Sequence, residues 1–528
     1  MKAAASVSRG HAAHRPESSP LSRLIARRAA LVLAALLGVA SVAGYAPFYF
    51  FPLPVAALAM LAIFWQHAAS ARRAALLGWC FGLGFFVAGV SWVYVSLHDF
   101  GAMPAPLAAF FTLLFCAYLA LFPAAAGCLY GLVPKARLWA RALTLAAAWT
   151  VLEWIRGWLF TGFPWLALGY SQIPASPLAG YAPVLGIGGV TLVTAASAAL
   201  LAMLWPRAAR DGRWSRYLRH PALYVLIALW LCGYGLQRIA WTHPVGKPLE
   251  VSLLQGNVPQ EMKWREDRLR TTLDTYRVLT LESRSRLMVL PETALPLFLN
   301  DVPEFYLNEL EEHARQNHGD ILLGVPEGTR GGEYYNSAIS LGTAPRQVYR
   351  KVHLVPFGEY IPLRPVLGWI VSVLAIPLQD FSRGSPEQQP LAIGGQRVAV
   401  NICYEDAFGE EIIRQVPQAT LLANVSNVAW FGRSIAPYQH LQISQARALE
   451  TGRYMVRATN TGMTAVVDPH GHVEESAPQF ELFMLTRSVR GYAGATPYVR
   501  WGNSAVLILC AVMALAAYGL ARRPRAPR

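Results

Sequence analysis

Hydrophobic and polar positions follow two different rhythms along this chain. From about residue 24 to 242 they form long uncharged blocks; from about 248 to 490 the apolar runs shorten and alternate with polar residues, and about 503–520 is apolar again. A bilayer core takes roughly 20 apolar helical residues to cross. By that measure about eight spans are predicted, near 27–44, 50–67, 75–96, 105–132, 139–160, 180–205, 221–241 and 503–521. The first block also has a signal-peptide reading, since "GVASVAG" resembles a cleavage site. The long polar stretch before it and the further spans after it favour a retained helix.

In the polar stretch the period changes to short β runs: "LEVSLLQGN" (249–257), "RLMVLPET" (286–293), "DILLGVPEG" (320–328), "NSAISLG" (336–342), "RVAVNICYE" (397–405) and "ATLLANVSN" (419–427). Helical patterns at 265–284, 304–318 and 438–453 fall between some of them. Strands alternating with helices predict an α/β domain with covered sheets. The fold class is therefore a polytopic α-helical membrane bundle joined to an α/β domain. The divisions are a tail at 1–26, a bundle of about seven helices at 27–247, a polar domain at 248–490, and a final helix with a basic tail at 491–528.

Composition sharpens this picture. The 528 residues are 54% hydrophobic and 15% charged, with a formal net charge of +15. Such an excess of cations can mark a nucleic-acid binder. Here much of it sits in linkers between apolar blocks, the pattern of an integral membrane protein, so no nucleic-acid partner is expected. Lys2, Arg9, Arg15, Arg23, Arg27 and Arg28 precede the first span, and Arg72 and Arg73 the third. Lys135, Arg137 and Arg141 precede the fifth, and "PRAARDGRWSRYLRH" (206–220) the seventh. The intervening linkers "GYAPFYFFPLP" and "SLHDFGAMPAP" carry no Lys or Arg. This alternation predicts cytoplasmic termini and a polar domain outside the cytoplasmic membrane.

Candidate chemistry centres on Cys403 in "NICYED", a thiol in the polar domain with no cysteine partner nearby, although exported domains favour disulfides. Glu292 in "VLPETA" and Lys351 in "YRKVHLVPFGEY" lie, like Cys403, at strand ends or turns. A carboxylate can take the thiol proton as general base. A lysine favours the thiolate and can stabilise an oxyanion. Each has a plainer reading: a small buried hydrophobe, a helix-terminal charge and a solvated surface lysine. Spacing alone does not choose between them.

The motifs "LPET", "LLGVPEG", "YYNSAISL", "YRKVHLVPFGEYIP", "NICYED" and "NVSNVAWFG" together resemble the carbon–nitrogen hydrolase (nitrilase) superfamily. With spans on both sides, and with "QGNVPQEMKW" (255–264), the whole chain resembles its membrane-bound family, the apolipoprotein N-acyltransferases. The resemblance implies an αββα sandwich for the polar domain. It also implies a Glu–Lys–Cys triad, with Glu292 as general base, Lys351 as oxyanion and thiolate partner, and Cys403 as acylated nucleophile. Glu359, Tyr404 and Glu405 would support the site, while Trp264 and Trp430 would lie near the substrate opening. Val428 stands where the family usually has Asp, which leaves that position without an assigned role.

The implied reaction moves an acyl chain from a phospholipid, phosphatidylethanolamine by expectation, through a thioester on Cys403. The acceptor would be the α-amine of a lipoprotein's N-terminal diacylglyceryl-cysteine. No cofactor or metal is implied. The enzyme is expected to act as a monomer in the bacterial inner membrane, with the catalytic domain in the periplasm. The apolar run "PVLGWIVSVLAIP" (365–377) reads either as a core helix or as an arm dipping into the outer leaflet. One alternative is a membrane-anchored amidase, in which water resolves the thioester. Another is a transporter, for which Glu153 and Arg156, three apart on one helix face, are the candidate path residues.

Overall fold

The computed structural model describes residues 28–211, 218–361 and 380–522. The apolar run at 365–377, and with it the arm reading, lies outside them. The predicted spans correspond to helices α1 (Ala29–Ser41), α2 (Pro52–His67), α3 (Ala71–Val90), α4 (Ala105–Leu119) with α5 (Leu121–Leu132), α6 (Leu138–Arg156), α7 (Ala182–Asp211) and α8 (Pro221–Leu236). A last long helix, Ser504–Arg522, packs against α6. Four stretches are long and apolar enough to cross a membrane: Ala71–Val90, Ala105–Leu132, Pro177–Trp205 and Ser504–Arg522. Ala29–Gly44, Pro52–His67 and Pro221–Leu236 are apolar but shorter, and α6 carries Arg141, Glu153 and Arg156.

Small residues set the helix spacing. A Cβ on Gly38 of α1 would lie 2.0 Å from the Phe81 carbonyl oxygen of α3, and one on Gly84 would lie 2.1 Å from that of Ala35. These crossings are therefore close because both glycines lack a side chain, as in membrane helix pairs. Large apolar residues such as Val32, Leu36, Phe110, Leu113, Leu231, Ile508 and Leu515 point outward. An apolar exterior over a packed interior is that of a protein bound in a membrane.

The polar domain consists of two six-stranded sheets. In the first the order is β12-β1-β2-β3-β4-β5: β1 (His243–Gln255), β2 (Leu287–Val289), β3 (Asp320–Gly328), β4 (Tyr334–Gly342), β5 (Val348–Arg350) and β12 (Phe483–Ala493). The second runs β11-β10-β9-β8-β7-β6: β6 (Leu391–Ile393), β7 (Gln396–Ile402), β8 (Leu421–Ser426), β9 (Met455–Thr459), β10 (Ala465–Val467) and β11 (Val473–Ser476). Three central strands of each sheet are parallel, β1–β3 and β7–β9, and antiparallel strands flank them.

Both faces of each sheet are covered, so strands read as continuous apolar runs instead of clean alternation. Val251, Leu253, Val289 and Leu322 meet Val400, Ile402, Ala423 and Val456 between the sheets. Helices α9 (Glu266–Glu282) and α10 (Glu304–Gln316) cover the first sheet. Helix α11 (Ala436–Thr451) covers the second.

Helix α11 fastens the domain to the bundle. Leu441 and Ala448 pack on the sheet, while Ile443, Ala446 and Leu449 belong to the core of the bundle. Buried on both sides, its polar residues each find partners. Gln439 accepts from the Trp92 and Trp165 indoles at 3.2 and 2.7 Å, and Gln442 accepts from the Ala46 amide at 3.0 Å. Glu450 accepts from the Ile187 amide at 2.6 Å.

Candidate active site

Glu292, Lys351, Cys403 and Asn427 all lie just beyond the C-terminal ends of strands, namely β2, β5, β7 and β8. Side chains there converge in the crevice past the sheet edge, the usual ligand position in parallel sheets. Lys351 is 1% exposed. Its Nζ donates to Glu359 Oε1 at 2.9 Å and to Glu292 Oε1 at 3.3 Å. Asn336 of β4 bridges the same two oxygens, donating to Glu292 at 2.7 Å and to Glu359 at 2.8 Å. The Asn427 amide donates to Glu292 Oε2 at 2.8 Å. Both oxygens of Glu292 are thus held by donors.

Electrostatics assign the resting protons. Burial alone would raise Glu292, but Lys351, Asn336, Lys263 and the Asn427 amide hold it below the ordinary carboxylate range. Burial alone would lower Lys351, yet Glu359 and then Glu292 hold it above the ordinary lysine value. Cys403 retains some accessible surface but is closely surrounded by protein. Burial, and next Glu292, push its thiol above the ordinary value, while Lys351 pulls the other way. The expected thiolate-favouring effect of Lys351 is therefore outweighed. These directions favour a carboxylate, an ammonium and a neutral thiol, a set in which the thiol could act as a nucleophile only by giving its proton to a base.

Cys403 has φ of 55°, a left-handed conformation that a non-glycine residue adopts at a cost of roughly 1–3 kcal/mol. Surrounding structure holds it there. Its carbonyl accepts from Asn424 Nδ2 and His440 Nε2, each at 3.1 Å. His440 also meets Asp406 Oδ1 at 2.8 Å, and Arg457 donates to Asp406 Oδ2 at 3.1 Å. Burial works against the Asp406 carboxylate, but His440 and Arg457 keep it low.

The remaining sequence candidates take distinct positions. Glu359 lies in the cluster, its Oε2 accepting from the Val355 amide at 2.8 Å. Glu405 is a brace: it accepts from the amides of Ile402 and Val352 at 2.6 Å and from Tyr349 at 3.1 Å, joining the Cys403 turn to the Lys351 loop. Burial raises it to about 7 against those donors. Tyr404 stacks on Phe163 and Trp165 of the bundle and donates to the Gly162 carbonyl at 3.1 Å. Trp430 sits at the bundle junction, its carbonyl accepting from Ser96 at 2.8 Å and its ring edge on Phe100. Trp264 is half-buried. Val428 is buried, 1% exposed. Among the described residues, no group of three or more His, Cys, Asp or Glu is arranged to hold a metal ion.

Sequence reasoning missed Asn336, Asn427 and Lys263, although all three stand inside motifs it quoted. Lys263 is 3% exposed and donates to the Glu292 carbonyl at 3.2 Å. Glu153 and Arg156, the transport candidates, are occupied structurally. Glu153 accepts from the Leu168 amide at 2.9 Å, Trp149 at 3.0 Å and Thr191 at 3.0 Å. Arg156 donates to the carbonyls of Phe163 and Trp165 at 2.6 and 2.7 Å. Together they fix the loop that receives Tyr404.

Residues 37–200 match the family described as apolipoprotein N-acyltransferase N-terminal domain, and residues 250–498 match the carbon-nitrogen hydrolase family. The chain is similar to the apolipoprotein N-acyltransferase of Nitrosomonas europaea, 55% identical over 92% of this chain and 96% of that protein. It is also similar to that of Chromobacterium violaceum, 46% identical over 96% of each. Among solved structures, an amidase from Nesterenkonia sp. is similar at 17% identity and a TM-score of 0.36, covering 51% of this chain and 97% of that one.

Proposed function

This chain belongs to the apolipoprotein N-acyltransferase family, and on that premise we propose that Cys403, Glu292 and Lys351 carry out its acyl transfer. The enzyme is a membrane-bound acyltransferase that N-acylates the N-terminal diacylglyceryl-cysteine of apolipoproteins, with phospholipid as acyl donor. Glu292 takes the Cys403 proton as sulfur attacks the ester carbonyl. The lysophospholipid oxygen leaves with that proton, and a thioester remains. The α-amine of the acceptor then attacks the thioester, forming the amide and returning Cys403 to the thiol. Lys351 stands beside the oxygen that becomes negative in both tetrahedral intermediates, and Glu359 and Asn336 keep it and Glu292 in register.

One observation carries the lipid reading. Tyr404, the neighbour of the nucleophile, packs with Phe408, Phe431 and Ile435 onto the apolar core of the bundle. Cys403 itself packs on the core between the sheets, but the residue next to it in the chain lies on the bundle, an arrangement that suits a lipid donor better than a water-soluble amide. Phosphatidylethanolamine as the donor, a monomeric enzyme, and eight crossings complete the proposal. So do the inner-membrane location, a periplasmic catalytic domain near 248–490 and cytoplasmic termini. Alternation of linkers with and without Lys or Arg supports that orientation.

Intact-protein mass spectrometry after incubation with phosphatidylethanolamine tests the reading. An acyl adduct on Cys403, and a third acyl chain on an added diacylated peptide, are expected. Release of free fatty acid with no change in the peptide would instead indicate hydrolysis.

A further inference from the structure

Acyl transfer to an amine differs from acyl transfer from an ester in its proton balance. The first half-reaction releases no net proton: the one leaving Cys403 ends on the lysophospholipid hydroxyl. The second does. The acceptor arrives largely as an α-ammonium, whose ordinary pKa is about 7.7–8.0. Of its three hydrogens one stays on the amide, one returns to sulfur, and one must go elsewhere. Glu292 cannot keep it, because it has to be ionised for the next turnover.

We propose that Lys263, as the neutral amine, takes this excess proton from the acceptor's α-ammonium and releases it to solvent after transfer; the inference rests on the acyl-transfer reading above. Its placement carries the argument. Among the described residues Lys263 has one hydrogen-bond acceptor, the Glu292 carbonyl at 3.2 Å, and no carboxylate within ion-pair distance. Lys351, by contrast, is bound by two carboxylates at 2.9 and 3.3 Å. A buried ammonium with so few partners is costly, whereas a buried amine is not.

The turn that carries Lys263 is also fastened to the site. Asn427 donates its side-chain amide to Gln260 at 2.8 Å while its backbone amide holds Glu292. Asn460 accepts from the Val258 amide at 3.0 Å and donates to the Val258 carbonyl at 2.7 Å. Lys263 therefore keeps a fixed position relative to Glu292. The charged or titratable groups facing it are Glu292 and Cys403, with Lys351 and Glu359 beyond them in the cluster. Burial is the largest influence on its ammonium and lowers it to about 8, against the pull of Glu292 and Cys403. That value matches the ordinary range of the group it would deprotonate, so about half of Lys263 is the reacting neutral amine near pH 8 and about a tenth at pH 7.

With Lys263 neutral, the transfer balances. The ammonium proton passes to Lys263 Nζ, and the amine nitrogen attacks the thioester carbon. Its second proton passes through Glu292 to the departing sulfur as the C–S bond breaks.

The test uses the full-length enzyme in detergent, acylated with phospholipid, with K263M and K263R alongside wild type. Acyl-Cys403 is followed by intact mass during a chase with either a diacylated peptide or hydroxylamine, an amine already neutral at pH 7. Both variants should acylate, and peptide discharge at pH 7 should slow by ~10²–10⁴, the usual range for a lost proton-transfer group. Hydroxylamine discharge should fall far less than peptide discharge, because only the support that Lys263 gives Glu292 is lost there. Arginine can keep the bond to the Glu292 carbonyl but cannot give up its proton, so K263R should behave like K263M. The proposal is overturned if K263R restores peptide discharge, if hydroxylamine discharge falls as far as peptide discharge, or if neither variant acylates. Failure of wild type to form acyl-Cys403 would instead overturn the acyl-transfer reading itself.

Discussion

Replacing Lys351 by Met removes the cation shared by Glu292 and Glu359 and leaves their carboxylates in a buried cluster, still bridged by Asn336. A unit-charge contact near 4 Å is worth about 4 kcal/mol at an effective dielectric of about 20. Deleting one partner of a buried pair costs about 3–5 kcal/mol. The protein can recover part of this by placing a proton between the two carboxyls, which raises the pKa of the pair. The signs then separate wild type from variant.

In wild type Glu292 is held low, so its contribution is present above its unfolded pKa and lost as pH falls through the folded value. Lys351 is held high, so its contribution is present below its unfolded pKa and lost as pH rises through the folded value. Stability from the pair is therefore flat between about pH 5 and 10. In K351M the shared carboxyl titrates above its unfolded value, so its contribution is present at low pH and declines as pH rises. Thermal unfolding in detergent, followed by tryptophan fluorescence, should show a deficit of about 3–5 kcal/mol at pH 8 that shrinks towards pH 5. Acylation of Cys403, read by mass, should slow by at least ~10²–10³ from the lost oxyanion partner. A deficit independent of pH, or acylation near the wild-type rate, would refute the shared-cation account.

Three further outcomes are expected. C403A should acquire no acyl group from phospholipid; an adduct at any other cysteine would contradict the assignment. In G324A the new Cβ would lie 2.2 Å from the Pro291 carbonyl oxygen and 2.8 Å from the Glu292 Cα, neither of which can rotate away. A loss of about 1–3 kcal/mol is expected, with slower acylation because Glu292 moves, and wild-type acylation would exclude this coupling. D406N removes the charge paired with His440 and Arg457, at a cost of about 3–5 kcal/mol at pH 7. Since Asp406 is held low, the deficit should fade below about pH 4, as wild type loses the same contribution. Denaturation across pH checks both statements.

Much of the architecture was legible because hydrophobic periodicity is a local property. The predicted strand at 320–328 coincides with β3, and the helices at 265–284 and 304–318 match α9 and α10 to within two residues. Short or edge strands such as β5, β6 and β11 escaped notice: three or four residues carry too little pattern to stand out. Membrane helices were visible as apolar blocks, but four fall short of the length or apolarity needed for a crossing taken alone. How such helices pack in the bundle depends on their partners, and partners are not written in a local window.

Glu292, Lys351 and Cys403 were nameable from the chain because each ends a strand inside a motif with a family resemblance. Their protonation states were not. Whether a thiol rests neutral depends on how much water and how many charges surround it, and those arrive from segments tens to hundreds of residues apart. The same holds for Lys263, and for α11, whose glutamines and arginine lie between a sheet and a membrane bundle. The order of side chains along the chain determined which elements form and which residue types end them. Only the tertiary structure decided which polar groups share a low-dielectric space, because burial and Coulomb energies depend on distance in space, which sequence separation does not set.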